Sequence, residues 1–178
     1  GSQAQGLPVC SPEQLPEMEF DRIVIASMYV HPIRTQLLAL GVPSEKIALS
    51  LAALSHLALC CARDGNHTEA TRLAQIATTS YGESSTLPLR AELAMQSEEW
   101  ASAILLFEQA LANHPAPAPS TWVARLICAY RKMNQLDQAA TIAHRGLTLY
   151  PNDAKILLQT ADLAMVRERW SEAMEFFS

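Results

Sequence analysis

The residues able to do chemistry are few and poorly placed for it. The five histidines are His31, His56, His67, His114 and His144, and none stands at a ligand spacing with another histidine or a cysteine. The four cysteines, Cys10, Cys60, Cys61 and Cys128, form no CxxC or Cys/His pattern that would hold zinc. No HExxH or GxSxG motif is present, and no GxGxxG loop could cradle a phosphate. The thiols read as buried and reduced. Cys60 and Cys61, about 100° apart on a helix, cannot both face one seam. His114 falls at a predicted helix end, where it offsets carbonyls left without partners. The acidic pairs Glu98 with Glu99 and Glu172 with Glu175 read as solvated helix faces. No catalytic residue, metal or cofactor is therefore expected. A formal charge of −5 provides no clustered lysine and arginine footprint for nucleic acid. Recognition is the chemistry that remains.

The elements that would position a recognition surface follow from a repeat. Ala70, Ala103, Ala139 and Ala173 are separated by 33, 36 and 34 residues. Each lies early in an amphipathic segment: HTEATRLAQIA, EEWASAILLFEQALA, NQLDQAATIAHRGL and ERWSEAMEFF. A period in this range marks a stacked array of helical hairpins, each burying its apolar face on the next. Hydrophobic residues are 49% of the 178, charged residues 17%, and there are six glycines, which favours ordered helix over disorder. The helix pairs expected are 51 to 64 with 67 to 80, 84 to 97 with 100 to 113, 120 to 133 with 136 to 149, and 154 to 167 with 170 to 178. No apolar run of 18 or more residues suggests a membrane span, and no signal peptide opens the chain. The opening Gly1-Ser2 reads as the remnant of a cleaved tag, with residues 1–6 disordered. The end at Phe177-Ser178, inside a helix, reads as that of a fragment. A cytoplasmic location is expected.

Aligned on the four alanines, residues 51–178 resemble the tetratricopeptide repeat family. That family's hairpin of about 34 residues carries a small residue in helix A, an alanine early in helix B, a second small residue late in helix B, and an exit proline. Here the helix A position reads Ala58, Ala91, Ile127 and Ala161, and the late helix B position Ala77, Ala110 and Gly146. Pro115 and Pro151 stand at two exits and Gly82 at the first; His67, Trp100, Leu136 and Trp170 precede the helix B alanines by three. Ile127 departs from the pattern, so the third hairpin should open slightly or shift register. The 36-residue step comes from HPAPAPS, an extended spacer whose Ser120 is expected to cap the next helix.

The resemblance implies a mainly α fold, an α-α superhelix of about 3.5–4 hairpins over 51–83, 84–119, 120–153 and 154–178. It also implies a concave groove lined by helix A. Carried over position by position, the groove residues are Leu59 and Arg63, Glu92 and Met95, Arg125, Cys128, Arg131 and Lys132, then Asp162 and Met165. Family members that clamp a terminal carboxylate use an asparagine, and none occupies a matching position here. A basic third unit beside methionines would instead take an acidic or amphipathic segment. The implied function is a non-enzymatic module for protein or peptide binding, with self-association into a homo-oligomer through the apolar face of the incomplete fourth hairpin.

Residues 7–50 do not fit the repeat. FDRIVIAS reads as a strand and HPIRTQLLALGVPSEKI as an amphipathic helix stopped at Gly41 and Pro43. Residues 20–47 are similar to the last β-α unit of Rossmann-like domains in bacterial sugar-modifying and polysaccharide-biosynthesis proteins. That likeness gives the competing expectation, an accessory region of a larger enzyme such as a glycosyltransferase; a third is a secretion chaperone. A lone strand leaves its ladder unpaired. Residues 21–27 should therefore pair with the same strand of a second chain, or turn helical and cap the array. Ser44 would cap a first helix starting near Glu45.

Overall fold

The computed structural model describes residues 3–4, 7–8, 11–115 and 117–168. The chain opens with two short antiparallel strands, β1 (Gln3–Ala4) and β2 (Leu7–Pro8), so Gln3 and Ala4 are paired where disorder was expected. A 3-10 helix over Pro12–Glu17 leads to β3 (Ile23–Ile25), α1 (Val30–Ala39), a single 3-10 turn at Ser44–Lys46, and β4 (Ile47–Leu49). β3 and β4 are parallel, with Ile23 opposite Ile47 and Ile25 opposite Leu49. Both expectations for residues 21–27 are thus corrected. The strand finds its ladder within the chain, because Ile47–Leu49, read as the start of a helix, is the second strand of a β-α-β unit. β-branched Ile47 suits a strand, and the helix is set instead by Ser50, whose hydroxyl accepts from the Ala53 amide at 3.2 Å. Ile25, Val30, Leu37, Val42 and Ala53 form the small core of this unit.

The array follows as α2 (Leu51–Arg63), α3 (His67–Tyr81), α4 (Glu83–Gln96), α5 (Trp100–Asn113), α6 (Ser120–Lys132), α7 (Leu136–Leu149) and α8 (Ala154–Val166). The helix expected over 170–178, together with Ala173, Trp170 and the pair Glu172 and Glu175, lies outside the described residues, as does Cys10. The even-numbered helices α2 to α8 are the A helices of successive hairpins; α3, α5 and α7 are the B helices. The repeat alanines Ala70, Ala103 and Ala139 and the helix A alanines Ala58, Ala91 and Ala161 are at most 2% exposed. Their lack of bulk lets helix axes approach while Phe107, Leu126, Ile127 and Ile156, all at most 1% exposed, fill the space between.

Every A-to-B turn uses one residue in the left-handed region: Gly65, Glu98, Asn134 and Glu168, with φ of 81°, 59°, 57° and 59°. These four repeat at the spacing of the alanines. Each closes its helix by returning its amide to the carbonyl three residues back, as Gly65 does to Ala62 and Glu98 to Met95. B helices end on a second device. The Tyr81 hydroxyl donates to the Leu49 carbonyl at 2.7 Å, and the Tyr150 hydroxyl donates to the Ala118 carbonyl, so each tyrosine ties the exit of its hairpin to the entrance. His114 stands at the corresponding place in the second unit. Its Nδ1 lies 2.7 Å from the carbonyl oxygen of Pro115, the residue after it, and its ring meets Trp122 edge-on at 5.1 Å.

Ser120 does not cap its own helix. Pro119 takes the cap position without a side-chain bond, and the Ser120 hydroxyl donates 2.7 Å to Asp153 Oδ2, the residue whose other oxygen caps α8 through the Lys155 and Ile156 amides. The cap is satisfied one repeat further on because proline already fixes the entry to α6. The backbones of α4 and α6 stay farther apart than those of α2 and α4 or α6 and α8, at the boundary that carries the insertion. Ile127 is accommodated fully buried; in the same unit Gly146 packs so closely that an added Cβ would meet Val123 Cγ1 at 3.1 Å and Ile156 Cγ2 at 3.3 Å.

Candidate peptide-binding groove

Three of the A helices, α4, α6 and α8, are joined by polar contacts at about one repeat of separation. Arg125 Nε donates to Glu92 Oε1 at 2.9 Å, bridging α6 to α4 across the wider boundary. Arg131 pairs with Asp162 at 3.0 Å and donates to Gln159 Oε1 at 3.3 Å, bridging α6 to α8, while Lys155 Nζ lies 3.4 Å from Thr121 Oγ1. Side chains 33, 28 and 34 residues apart in sequence therefore share a surface. Placement alone explains this: successive A helices lie side by side, so residues one repeat apart are neighbours.

The pairing changes the charge of this face. Arg125 and Arg131 were expected to stand free for an acidic ligand, yet each already holds a carboxylate. The two pairs differ in environment. Arg131 and Asp162 side chains are 19% and 25% exposed, whereas Arg125 is 49% exposed opposite the more covered Glu92 at 19%. The Arg131 Nε is buried and has no partner among the described residues. Lys132 is exposed, with Nζ 5.9 Å from the centre of the Trp100 ring.

Met95 is a core residue at 9% exposure and not a groove contact, because its position on α4 turns toward Ala124 and Ile127 of the shared core. Leu59, Cys128 and Met165 are half-buried, with Leu59 and Cys128 packed on the core from its edge. Arg63 is exposed on α2 and donates 3.4 Å to Cys60 Sγ. Gln159 belongs to this surface and was missed. The signal for it was available, since it stands one repeat after Arg125 and so on the matching face of the next A helix, α8.

The cysteine and histidine expectations need two corrections. Cys60, Cys61 and Cys128 are free thiols but half-buried, since each lies at the margin of an apolar cluster and not inside it. His56 and Cys60 are four residues apart on α2, and Nε2 lies 3.6 Å from Sγ; one helical turn brings them together, a spacing visible in the sequence. The sulfur thus has an imidazole and a guanidinium beside it. Among the described residues no group of three or more His, Cys, Asp or Glu is placed to hold a metal ion, and no helix is long and apolar enough to cross a membrane.

Two titrations are shifted by identifiable causes. Burial, reinforced by the hydrogen bond and negative charge of Glu108, pushes the Tyr130 phenol up to about 12. The hydrogen bond from the Ser120 hydroxyl holds the Asp153 carboxyl below its ordinary value; burial opposes it, and the Ile156 and Lys155 amides add to the lowering.

Antiparallel helical hairpins stacked with each helix against the next form one helical array. Residues 124–178 match the model of the tetratricopeptide repeat family, and the array as a whole is similar to that family's fold. Solved structures share the fold. That of PilF from Pseudomonas aeruginosa superposes with a TM-score of 0.61 at 17% identity, over 81% of this chain and 63% of that one, so the chain spans less than two thirds of its length. MamA from MSR-1 gives a TM-score of 0.58 at 16% identity over 84% of this chain and 86% of that one. MamA from AMB-1 gives 0.56 at 18% identity over 84% and 88%. At these identities the likeness is one of fold. No curated protein sequence is similar enough to the chain to count as a match.

Proposed function

We propose that this chain is a non-enzymatic interaction module that binds a polypeptide segment along the face shared by α2, α4, α6 and α8. The observation that carries the reading is the ladder of cross-unit contacts, Glu92–Arg125 and Arg131–Asp162 with Gln159. It ties α4, α6 and α8 to one another, so little ordering of that face would be needed on binding, and preorganised surfaces bind more tightly for the same contacts. The A helices also carry half-buried Leu59, Cys128 and Met165, which offer apolar and polarizable contact. Because both arginines have carboxylate partners, an amphipathic segment suits the surface better than a strongly acidic one; an acidic ligand would have to displace Glu92 or Asp162. Exposed Lys132 is left to set its orientation.

Photo-crosslinking tests this. A benzophenone amino acid replacing Leu59, Cys128 or Met165 should capture the same polypeptide from extract, while one replacing Gln75, Gln109 or Gln138 on the B helices should not. A synthetic segment of the captured protein should then bind the unmodified chain and lose at least tenfold in affinity to Cys128→Trp. Capture from the B-helix positions alone, or unchanged affinity for Cys128→Trp, would refute the assignment of the groove.

A further inference from the structure

The loop that lengthens the second repeat bounds a cavity. A space of about 440 Å³ lies between the end of α5 and α7, walled by Leu111, Ala118, Val123, Ile142, Gly146 and Leu149. That volume falls within the range of small-molecule sites, about 300–1,000 Å³. Val123 of α6 is 8% exposed and belongs to the floor, whereas Leu149 is 51% exposed and stands at the mouth. On α7, Ile142, Gly146 and Leu149 follow at steps of four and three residues, one stripe of the helix, and exposed Arg145 lines the cavity beside them. The polar groups around this space divide into engaged and free. The Tyr150 hydroxyl donates to the Ala118 carbonyl, the Thr148 hydroxyl donates to the His144 carbonyl at 3.0 Å, and His114 Nδ1 lies 2.7 Å from the Pro115 carbonyl oxygen. Arg145 takes part in none of the ion pairs among the described residues, and no carboxylate among them lines the cavity.

We propose that this cavity binds a free aliphatic carboxylate, with the alkyl chain inside and the carboxylate on Arg145. Charge and lining together select that class. An apolar interior with a cation at its mouth is complementary to a molecule that is apolar along its length and anionic at one end. A guanidinium meets a carboxylate through two parallel N–H bonds, so Arg145 suits this end group in shape as well as in sign. One arginine matches a single negative charge, whereas a phosphate dianion would keep half of its charge unmet. The walls are aliphatic apart from Tyr150 and the two histidines, which fits a flexible alkyl chain better than a flat ring. The site lies between successive B helices, away from the face shared by the A helices, and is independent of the groove reading.

Isothermal titration of the full chain with decanoate tests the proposal. Decanoate should saturate at one molecule per chain, and decyltrimethylammonium, which has the same alkyl chain and the opposite charge, should bind at least tenfold more weakly. Arg145→Gln should weaken decanoate by about tenfold and leave the binding of decanol unchanged, because hydrogen bonds to a charged group are lost only for the carboxylate. Arg145 is exposed, so this variant changes the end-group contact without opening the core. In the wild-type chain, nuclear Overhauser contacts should run from the decanoate chain to the methyl groups of Leu111, Val123 and Ile142, a reading that needs no variant to fold. No saturation below the micelle limit, equal binding of decyltrimethylammonium, unchanged affinity in Arg145→Gln, or Overhauser contacts confined to other residues would each overturn it.

Discussion

Gly146→Ala sets two well-known effects against each other. By helix propensity alone the change should stabilise α7, since glycine inside a helix costs about 1 kcal/mol relative to alanine. The repeat pattern agrees, because Ala77 and Ala110 occupy this position in the first two units, at 0% and 3% exposure. Packing decides otherwise. The new methyl would lie 3.1 Å from Val123 Cγ1 and 3.3 Å from Ile156 Cγ2. Both neighbours are β-branched, with few rotamers to yield into, and they are 8% and 0% exposed. Overpacking of this kind costs about 1–3 kcal/mol. The net expectation is a loss of about 1 kcal/mol, which lowers Tm by about 2–4 °C for a chain of this size. Thermal melts followed by circular dichroism at 222 nm measure it. The cause is isolated by a cycle with Val123→Ala, which removes the nearer methyl. Gly146→Ala should be neutral or stabilising in that background, with a coupling of about 1 kcal/mol. A raised Tm for Gly146→Ala alone, or strict additivity with Val123→Ala, would refute the packing argument.

Two further outcomes follow from the structure. Glu98→Gly should stabilise the second hairpin by about 1 kcal/mol, because Glu98 is exposed and holds a φ of 59° that glycine adopts freely; a denaturation midpoint no higher than wild type would contradict this. The Tyr130 phenol, raised in the folded state to about 12 from an ordinary 10, keeps its proton more tightly folded than unfolded, so its stabilising contribution is present below pH 10 and lost as pH rises through about 12; the 295 nm absorbance difference between wild type and Tyr130→Phe should show that titration near 12 in the folded chain and near 10 in denaturant.

The sequence by itself determined the array. Helix positions follow from apolar periodicity, from small residues where axes approach, and from turn residues such as Gly65 and Gly82, all of which act within a few residues of where they stand. Hence α3, α5 and α7 begin at His67, Trp100 and Leu136, the residues read as preceding the repeat alanines. His56 and Cys60 were equally legible, being one helical turn apart. What only the tertiary structure decided are contacts whose partners lie a whole repeat away. Ser120 bonds Asp153 rather than its own helix, Arg125 and Arg131 are already paired, Met95 is core, and Tyr81 and Tyr150 lock their hairpins from the far end. The partner of β3 belongs to the same group. Ile47–Leu49 runs straight into a helix, and β-branched Ile47 is the one local sign that it is a strand. Its conformation is fixed by the ladder it forms with Ile23–Ile25, an interaction between segments that no local pattern encodes.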